Sequence, residues 1–130
     1  MFRSPQVNFY VEDIDACAGF YRDLLGFSET FRTPREGTPD HVELRLDGFT
    51  LGVATIAALR DTHGVTGGAG PARAEVVLWT DDVDGAVAAL SAKGVVVLSP
   101  PHDFGGSLRS AWIADPAGNP VQIVTRRENG

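Results

Sequence analysis

Hydrophobic positions along the chain follow a helical spacing in two stretches, and each stretch follows an apolar strand. Over Ile14–Leu25 and again over Val83–Leu90, apolar residues recur at i, i+3, i+4 and i+7, which predicts one amphipathic helix in each stretch. Asp13 and Asp82 directly precede the two stretches, and their carboxylates can accept the unpaired N–H groups of a first helical turn. A glycine follows each helix and suits the position that closes it.

The same order of elements occurs twice in the 130 residues, and equivalent positions, such as Val7 and Val76, lie 69 residues apart. After each helix the apolar residues recur with period two, which predicts three strands in each half. The predicted strands are Phe27–Thr33, His41–Leu46 and Phe49–Thr55 in the first half, and Val95–Leu98, Leu108–Ala114 and Pro120–Thr125 in the second. Tight turns are predicted at Asp47-Gly48 and at Asp115–Asn119. The pattern therefore predicts two βαβββ copies.

One copy is too small to bury both faces of a four-stranded sheet, so two copies are expected to pack together in one α+β domain, residues 1–130. Module one covers about residues 1–62 and module two about residues 72–127. The glycine-rich segment between them, about residues 64–71, is expected to be a linker. It is not expected to be a phosphate cradle, because it leads into a strand and no Lys-Ser/Thr pair follows it.

The side chains expected between sheets and helices are apolar and belong to both modules. They are Phe9, Phe20, Leu24, Leu25, Val76, Leu78, Val87 and Leu90. The single cysteine, Cys17, lies on the buried stripe of the first helix, so we expect a core residue and neither a nucleophile nor half of a disulfide.

Composition and charge exclude several classes of partner. No apolar run approaches the roughly 18 residues of a membrane span, and the amino terminus lacks the pattern of a signal peptide. The formal net charge of −6, without a basic stripe, argues against nucleic acid or an anionic membrane as the partner. We therefore expect a cytoplasmic protein, and its acidity mildly favours cationic or neutral small-molecule ligands.

Three motifs resemble those of the vicinal oxygen chelate superfamily, and together they cover nearly the whole chain. They are Phe9-Tyr10-Val11-x-Asp13, then Phe20-Tyr21 with Leu25-Gly26-Phe27, and Asp115-Pro116-x-Gly118-Asn119-x-x-Gln122-Ile123. The superfamily includes glyoxalase I, bleomycin-resistance proteins, extradiol dioxygenases and fosfomycin-resistance enzymes. The resemblance implies that paired modules curl their sheets into a U-shaped cup. Many members hold a metal at its base, and some bind ligands without one.

The resemblance also indicates where a metal would bind, on the first, fourth, fifth and eighth strands. The corresponding positions here are Gln6, Gly52, Glu75 and Gln122, which we expect to converge in one cup. One of these residues has no side chain and two are uncharged, whereas transition metals favour imidazole, thiolate or several carboxylates. We therefore expect no metal cofactor. Glu43 on a neighbouring strand, or His102 in the loop before the seventh strand, could restore a ligand.

Side chains alternate across a strand, so positions between the apolar ones are expected to face the cup. The candidate ligand-binding residues are Gln6, Asn8, Tyr10, Glu43, Arg45, Glu75, Trp79 and Gln122, with Trp112 added by the resemblance and Phe104 on the rim. Arg109 is a further candidate because related sequences often carry an arginine at this point. A structural ion pair is its alternative role. Aromatic faces stack on planar ligands and attract cations, but these aromatics could instead fill a collapsed pocket.

Two functions from different classes remain open. The first is a metal-independent binding protein, similar to the bleomycin-resistance proteins, that sequesters a planar or cationic molecule such as an antibiotic. The second is a glyoxalase-like or dioxygenase-like lyase, isomerase or oxidoreductase. A metal-dependent form would need Glu43 or His102 as a ligand, and a metal-free form would use Glu75 or Glu43 as a general base, with a pKa raised by the apolar cup. The resemblance also implies a homodimer, with modules paired within one chain or between two chains.

Overall fold

A computed structural model describes residue 4 and residues 6–63, 74–104 and 106–127. The chain divides into two compact units, Met1–Gly70 and Pro71–Gly130, called module one and module two below. Each contains one four-stranded mixed sheet, so the α+β fold with two βαβββ modules is confirmed. The predicted linker lies outside the described residues. Among the helices that are described, none has the length and apolarity needed to cross a membrane.

Module one contains four strands and two α-helices. They are β1 (Val7–Val11), α1 (Ile14–Gly19), β2 (Ser28–Thr33), β3 (His41–Leu46), β4 (Phe49–Thr55) and α2 (Ile56–His63). The sheet order is β1-β4-β3-β2, in which β1 runs parallel to β4 and the other neighbours are antiparallel. The helix α2 was not predicted, because its residues continue the apolar run of β4 without a break. Its first turn is capped by the Thr55 hydroxyl, which accepts the Ala58 N–H at 3.0 Å.

Module two repeats this arrangement. Its elements are β5 (Val76–Trp79), α3 (Val83–Ala92), β6 (Val97–Phe104), β7 (Leu108–Ala114) and β8 (Pro120–Arg126). The sheet order is β5-β8-β7-β6, with β5 parallel to β8. The 69-residue repeat of the sequence therefore corresponds to a repeat of strand order and direction.

Both predicted helix caps are present. Asp13 accepts a hydrogen bond from the backbone N–H of Ala16 at 3.1 Å, and Asp82 accepts one from Gly85 at 2.9 Å. Gly94 follows α3 with a φ of 88°, in the left-handed region where a side chain would be strained. These local interactions fix both ends of α3 and the start of α1.

The first helix differs from the prediction in its second half. It is α-helical only to Gly19 and continues as a π-helical segment, Phe20–Leu24. The N–H of Leu25 bonds to the carbonyl of Phe20 at 3.3 Å, five residues back. This wider turn changes the angular spacing that the i, i+3, i+4 pattern assumes. Leu24 and Leu25 are consequently half-buried and do not lie in the core as expected.

The core of each module lies between its sheet and the helix packed on it. The buried side chains include Val11, Ile14, Cys17, Tyr21, Val42, Leu44, Leu51 and Val53 in module one, and Val83, Val87, Leu90, Ala111, Ile113, Val121 and Ile123 in module two. The predicted core residues Phe9, Phe20, Val76, Val87 and Leu90 are buried, and so is Cys17. The prediction for Leu78 was wrong, because this side chain is half-buried on the short outer strand β5.

The strand β6 extends much further than the predicted Val95–Leu98. It includes Pro100 and Pro101 and reaches Phe104, so His102 lies in a strand opposite Ser110 and not in a loop. Proline cannot donate to a sheet ladder, but β6 is an edge strand with irregular register on both sides of Ser99. At such an edge both prolines are accommodated.

Candidate functional site

The sheet of module two has one face covered by α3 and one that is not. Buried Ala111 and Ile113 alternate along β7 with Ser110 and Trp112, which point to the opposite side. We call this opposite side the module-two face. Strand pairing gives it regular cross-strand rows. One row is Val77, Gln122 and Trp112, and the next is Trp79, Val124, Ser110 and His102.

Three rings meet on the module-two face and form what we call the aromatic cluster: His102, Phe104 and Trp112. The His102 and Trp112 rings are nearly parallel, with an interplanar angle of 21° and centroids 5.9 Å apart. Phe104 lies 6.1 Å from His102 and 6.4 Å from Trp112. Phe104 is 37% exposed, so this cluster is accessible to solvent.

Glu75 is linked to this cluster by a hydrogen bond. The indole N–H of Trp112 donates to Glu75 Oε2 at 2.9 Å. Glu75 itself is exposed. The bond fixes the rotation of the Trp112 ring and occupies one carboxylate oxygen. Nearby, the Gln122 side-chain amide donates to the Ser110 hydroxyl at 3.0 Å.

The position of His102 defines which of its ring nitrogens carries a proton. Its Nδ1 lies 2.8 Å from the backbone oxygen of Pro100. A carbonyl oxygen can only accept, so Nδ1 must donate. In the neutral ring Nε2 is then a hydrogen-bond acceptor. Sequence reasoning placed this residue in a loop, although its spacing of two from Phe104 would put both rings on one face of a longer strand.

Trp79 lies on the far side of the same face and already has a cationic neighbour. The Arg126 guanidinium carbon is 5.6 Å from the centroid of the Trp79 ring, within cation–π distance. Trp79 is 59% exposed, which makes it the most exposed aromatic residue of the part of module two that is described. The alternation of side chains along β5 predicted that Trp79 lies on this face, but it did not predict the contact with Arg126.

Arg109 lies on the other side of the sheet from Ser110 and Trp112, and it forms the structural ion pair that was its alternative role. It alternates with Ser110 and shares the α3-facing side with Ala111. Its guanidinium donates two hydrogen bonds of 2.7 Å to Asp84 on α3 and one of 3.0 Å to Asp103. The bond from Arg109 holds the pKa of Asp84 below its usual range. The structural ion pair is therefore its role.

This assignment predicts separate effects on stability and on binding. Replacing Arg109 with glutamine is expected to lower the melting temperature at pH 7 and to leave ligand affinity unchanged. Because the pKa of folded Asp84 is lowered, the pair stabilises the protein above the pKa of unfolded Asp84. That contribution is lost as the pH falls through the folded pKa. Melting curves from pH 7 to pH 2 should therefore converge for the two proteins, and a constant difference would contradict the assignment.

In module one, a pocket of about 420 Å³ adjoins the side of the sheet that carries Asn8 and Tyr10. Its lining residues are Asn8, Tyr10, Thr33, Asp40, His41, Ala54, Ala58 and Thr62. Next to it, His41 Nε2 lies 3.4 Å from Glu43 Oε1. The unpredicted helix α2 supplies part of the wall. Arg45 is on the same side as Glu43 and is exposed.

At the metal position that the resemblance implies on β4, a neighbouring side chain fills the space. Gly52 lies opposite Asn8, and a Cβ added to Gly52 would overlap the Asn8 side-chain oxygen. That oxygen also accepts a hydrogen bond of 2.9 Å from the Gln6 amide. Gly52 is therefore the residue that allows the Gln6–Asn8 amide pair to lie across β4. A ligating side chain at Gly52 would need Asn8 to move away.

The other two positions are engaged as well. Glu75 accepts the Trp112 indole N–H, and the Gln122 amide donates to Ser110. In the described parts of the chain, no three His, Cys, Asp or Glu side chains are grouped so that they could hold a metal ion. One carboxylate and two amides would make a poor donor set for transition metals, which favour imidazole, thiolate or several carboxylates. The convergence of the four positions remains a prediction, because they belong to two separate units.

The fold and these motifs define a family. The sequence profile of the Glyoxalase/Bleomycin resistance protein/Dioxygenase superfamily matches residues 3–123, and the chain belongs to this superfamily. No protein with a curated function matches the chain.

Solved structures with the same fold cover nearly the whole chain. Hypothetical protein SA1046 from S. aureus aligns with a TM-score of 0.78 at 21% identity, covering 96% of this chain and 95% of that one. TioX from Micromonospora sp. ML1 gives 0.76 at 23% identity, with coverages of 95% and 99%. Lactoylglutathione lyase from Agrobacterium tumefaciens gives 0.71 at 21% identity, with coverages of 93% and 92%. At these identities the likeness shows the fold alone.

Proposed function

We propose that the protein is a metal-independent small-molecule-binding protein that holds a planar ligand against the aromatic cluster of the module-two face. The observation that carries this proposal is the Trp112 ring, fixed by Glu75 and flanked by His102 and Phe104. A ring that is already oriented loses little rotational entropy when a ligand stacks on it. The four side chains are thus pre-organised for a flat partner.

The accessible aromatic surface supports binding over a purely structural role. Trp79 and Phe104 are exposed, and so is Val77, which lies on the same strand as Trp79 and pairs with Gln122. Exposed aromatic and apolar side chains gathered on one face are typical of ligand or protein interaction sites. A planar antibiotic held in the cytoplasm, as the bleomycin-resistance resemblance implies, is the physiological ligand that we propose.

A second candidate is an enzyme without a metal, and module one favours it. The His41–Glu43 pair stands next to a pocket of about 420 Å³, and an imidazole–carboxylate pair can transfer protons. In this alternative Glu43 is the general base of a lyase or isomerase. Glu75 suits that role less well, since one of its oxygens already accepts the Trp112 N–H.

A thermal-shift screen separates these functions. The purified protein is screened in the presence of a chelator against planar natural-product antibiotics and 2-oxo compounds. We expect planar compounds to raise the melting temperature, and NMR spectra of the hits to remain unchanged after overnight incubation with the protein. Chemical conversion of a hit, abolished by Glu43→Gln, would favour the enzyme. A screen in which no planar compound stabilises the protein would contradict the binding proposal.

We also expect a homodimer. Each sheet has two edge strands, β1 and β2 in module one and β5 and β6 in module two, and edge strands can pair with a second chain. Light scattering at micromolar concentration is expected to give twice the 13.8 kDa chain mass. A measured mass equal to that of one chain would reject the dimer.

A further inference from the structure

The structure also indicates which charge the ligand of the proposed function carries. Resting on that function, we infer that Arg126 anchors an anionic group of the ligand, so that the module-two face prefers planar anions to planar cations. The acidity of the chain and its aromatic residues had suggested a preference for cationic ligands.

Arg126 differs from five of the other seven described arginines in its partners. Arg22, Arg32, Arg60, Arg109 and Arg127 each form an ion pair with an aspartate or a glutamate. Arg126 forms none with any described residue and is exposed, and its guanidinium lies over the Trp79 ring. A cation on an aromatic face keeps its edge N–H groups available to an acceptor. Arg126 is thus oriented and has donors to offer.

A groove of about 610 Å³ adjoins this pair. Trp79, Thr80, Asp81, Thr125, Arg126 and Arg127 line it. Asp81 is the acidic member, but it makes no ion pair with Arg126. Arg127 is partly neutralised, because it lies 3.3 Å from Asp103. Arg126 therefore supplies the positive charge that an anion entering this groove would contact.

The strand register places Arg126 in the same cross-strand row as Phe104 of the aromatic cluster. Arg126 pairs with Leu108, and Leu108 pairs with Phe104, so these three form one cross-strand row of the module-two face. The outer members of the row are two strand spacings, about 10 Å, apart. This is the spacing of the backbones, and the Arg126 guanidinium lies on the Trp79 side of the row. We therefore place the carboxylate of a bicyclic aromatic acid at the guanidinium and its ring along the row toward Phe104.

Two features of the module-two face that would attract a cationic ligand are already engaged. The Trp79 face carries Arg126, which a ligand cation would have to displace. One oxygen of Glu75 accepts the Trp112 indole N–H. The net negative charge of the chain acts over a longer range and is screened by salt, whereas a guanidinium–carboxylate contact is short and directional. The local contact therefore determines the preference.

Three probes that share a naphthalene ring and differ in charge test whether the site prefers an anion or a cation. They are 2-naphthoate, neutral 2-naphthamide and cationic 2-naphthylmethylammonium, titrated calorimetrically at pH 7 and physiological salt. We expect 2-naphthoate to bind about three- to tenfold more tightly than the cation, the range for a partly exposed charge contact. Arg126→Gln should abolish this difference and leave 2-naphthamide affinity unchanged, and Arg126→Lys should keep part of it. Arg35→Gln, at another exposed arginine, is the matched control and should behave as the parent protein.

The outcomes separate this inference from the function on which it rests. Equal affinity for the three probes, a preference for the cation, or an anion preference that survives Arg126→Gln would overturn the inference and leave the binding function standing. If none of the probes binds the parent protein at millimolar concentration, both the inference and the proposed aromatic site are wrong.

Discussion

Replacing Trp112 with alanine is expected to weaken binding of a planar ligand by about 1–3 kcal/mol, the usual effect of removing a stacked aromatic anchor. The change removes the central ring of the aromatic cluster and leaves Glu75 without its indole donor. Trp79→Ala is expected to reduce the preference for an anionic ligand and to leave 2-naphthamide affinity unchanged, because it removes the ring that supports Arg126. Calorimetry with 2-naphthamide, 2-naphthoate and any hit of the screen measures the effects of both substitutions.

Controls distinguish lost contacts from lost folding. Val96→Ala changes an exposed side chain of module two outside the aromatic cluster and should not alter affinity. Glu75→Gln keeps an acceptor for the Trp112 indole N–H, so it should keep the ring in place and change the affinity for 2-naphthamide little. Circular dichroism and the melting temperature show whether each variant is folded. A folded Trp112→Ala protein with unchanged affinity would contradict the proposed site.

Tyr21→Ala is expected to lower the free energy of unfolding by about 3–5 kcal/mol, as for other large aromatic residues removed from a core. Tyr21 is 0% exposed, and its ring packs edge-on against Phe20 at 5.1 Å and Phe27 at 5.6 Å. The cavity left by alanine would lie within the π-helical segment and its contact with the sheet. Urea denaturation followed by circular dichroism measures the loss.

The matched control is the other tyrosine. Tyr10 is 44% exposed, so Tyr10→Ala should change the stability by about 0.5 kcal/mol or less. If both variants lose the same stability, the packing described for Tyr21 is wrong.

The fold could be predicted because its determinants are local and repeated. The aspartate caps at Asp13 and Asp82 act within three residues, and period-two alternation identifies both sheets. The π-helical segment after Gly19 was not predictable in the same way, because the apolar residues there suit an α-helical stripe as well. Likewise β6 was predicted too short, because the tolerance for Pro100 and Pro101 depends on the edge position of the strand.

For the site, the alternation of side chains along each strand predicted only which face of the sheet a residue lies on. Parity placed Trp79 and Gln122 on one face, but it does not show which side chains bond to each other. The Trp112–Glu75 bond joins residues 37 apart in sequence. The resemblance identified Arg109 as a candidate, but it did not predict its partner Asp84 on α3.

The central claim is that ligand binding does not depend on a metal, and one measurement tests it most directly. Protein purified without a metal-affinity step is analysed for bound elements, and its affinity for a planar ligand is measured before and after treatment with a chelator. Because Asn8 fills the space above Gly52, and one carboxylate with two amides makes a weak donor set, we expect far less than one metal ion per chain and unchanged affinity. About one Zn, Fe, Ni or Mn per chain, removed by the chelator together with binding or a measurable activity, would contradict the account.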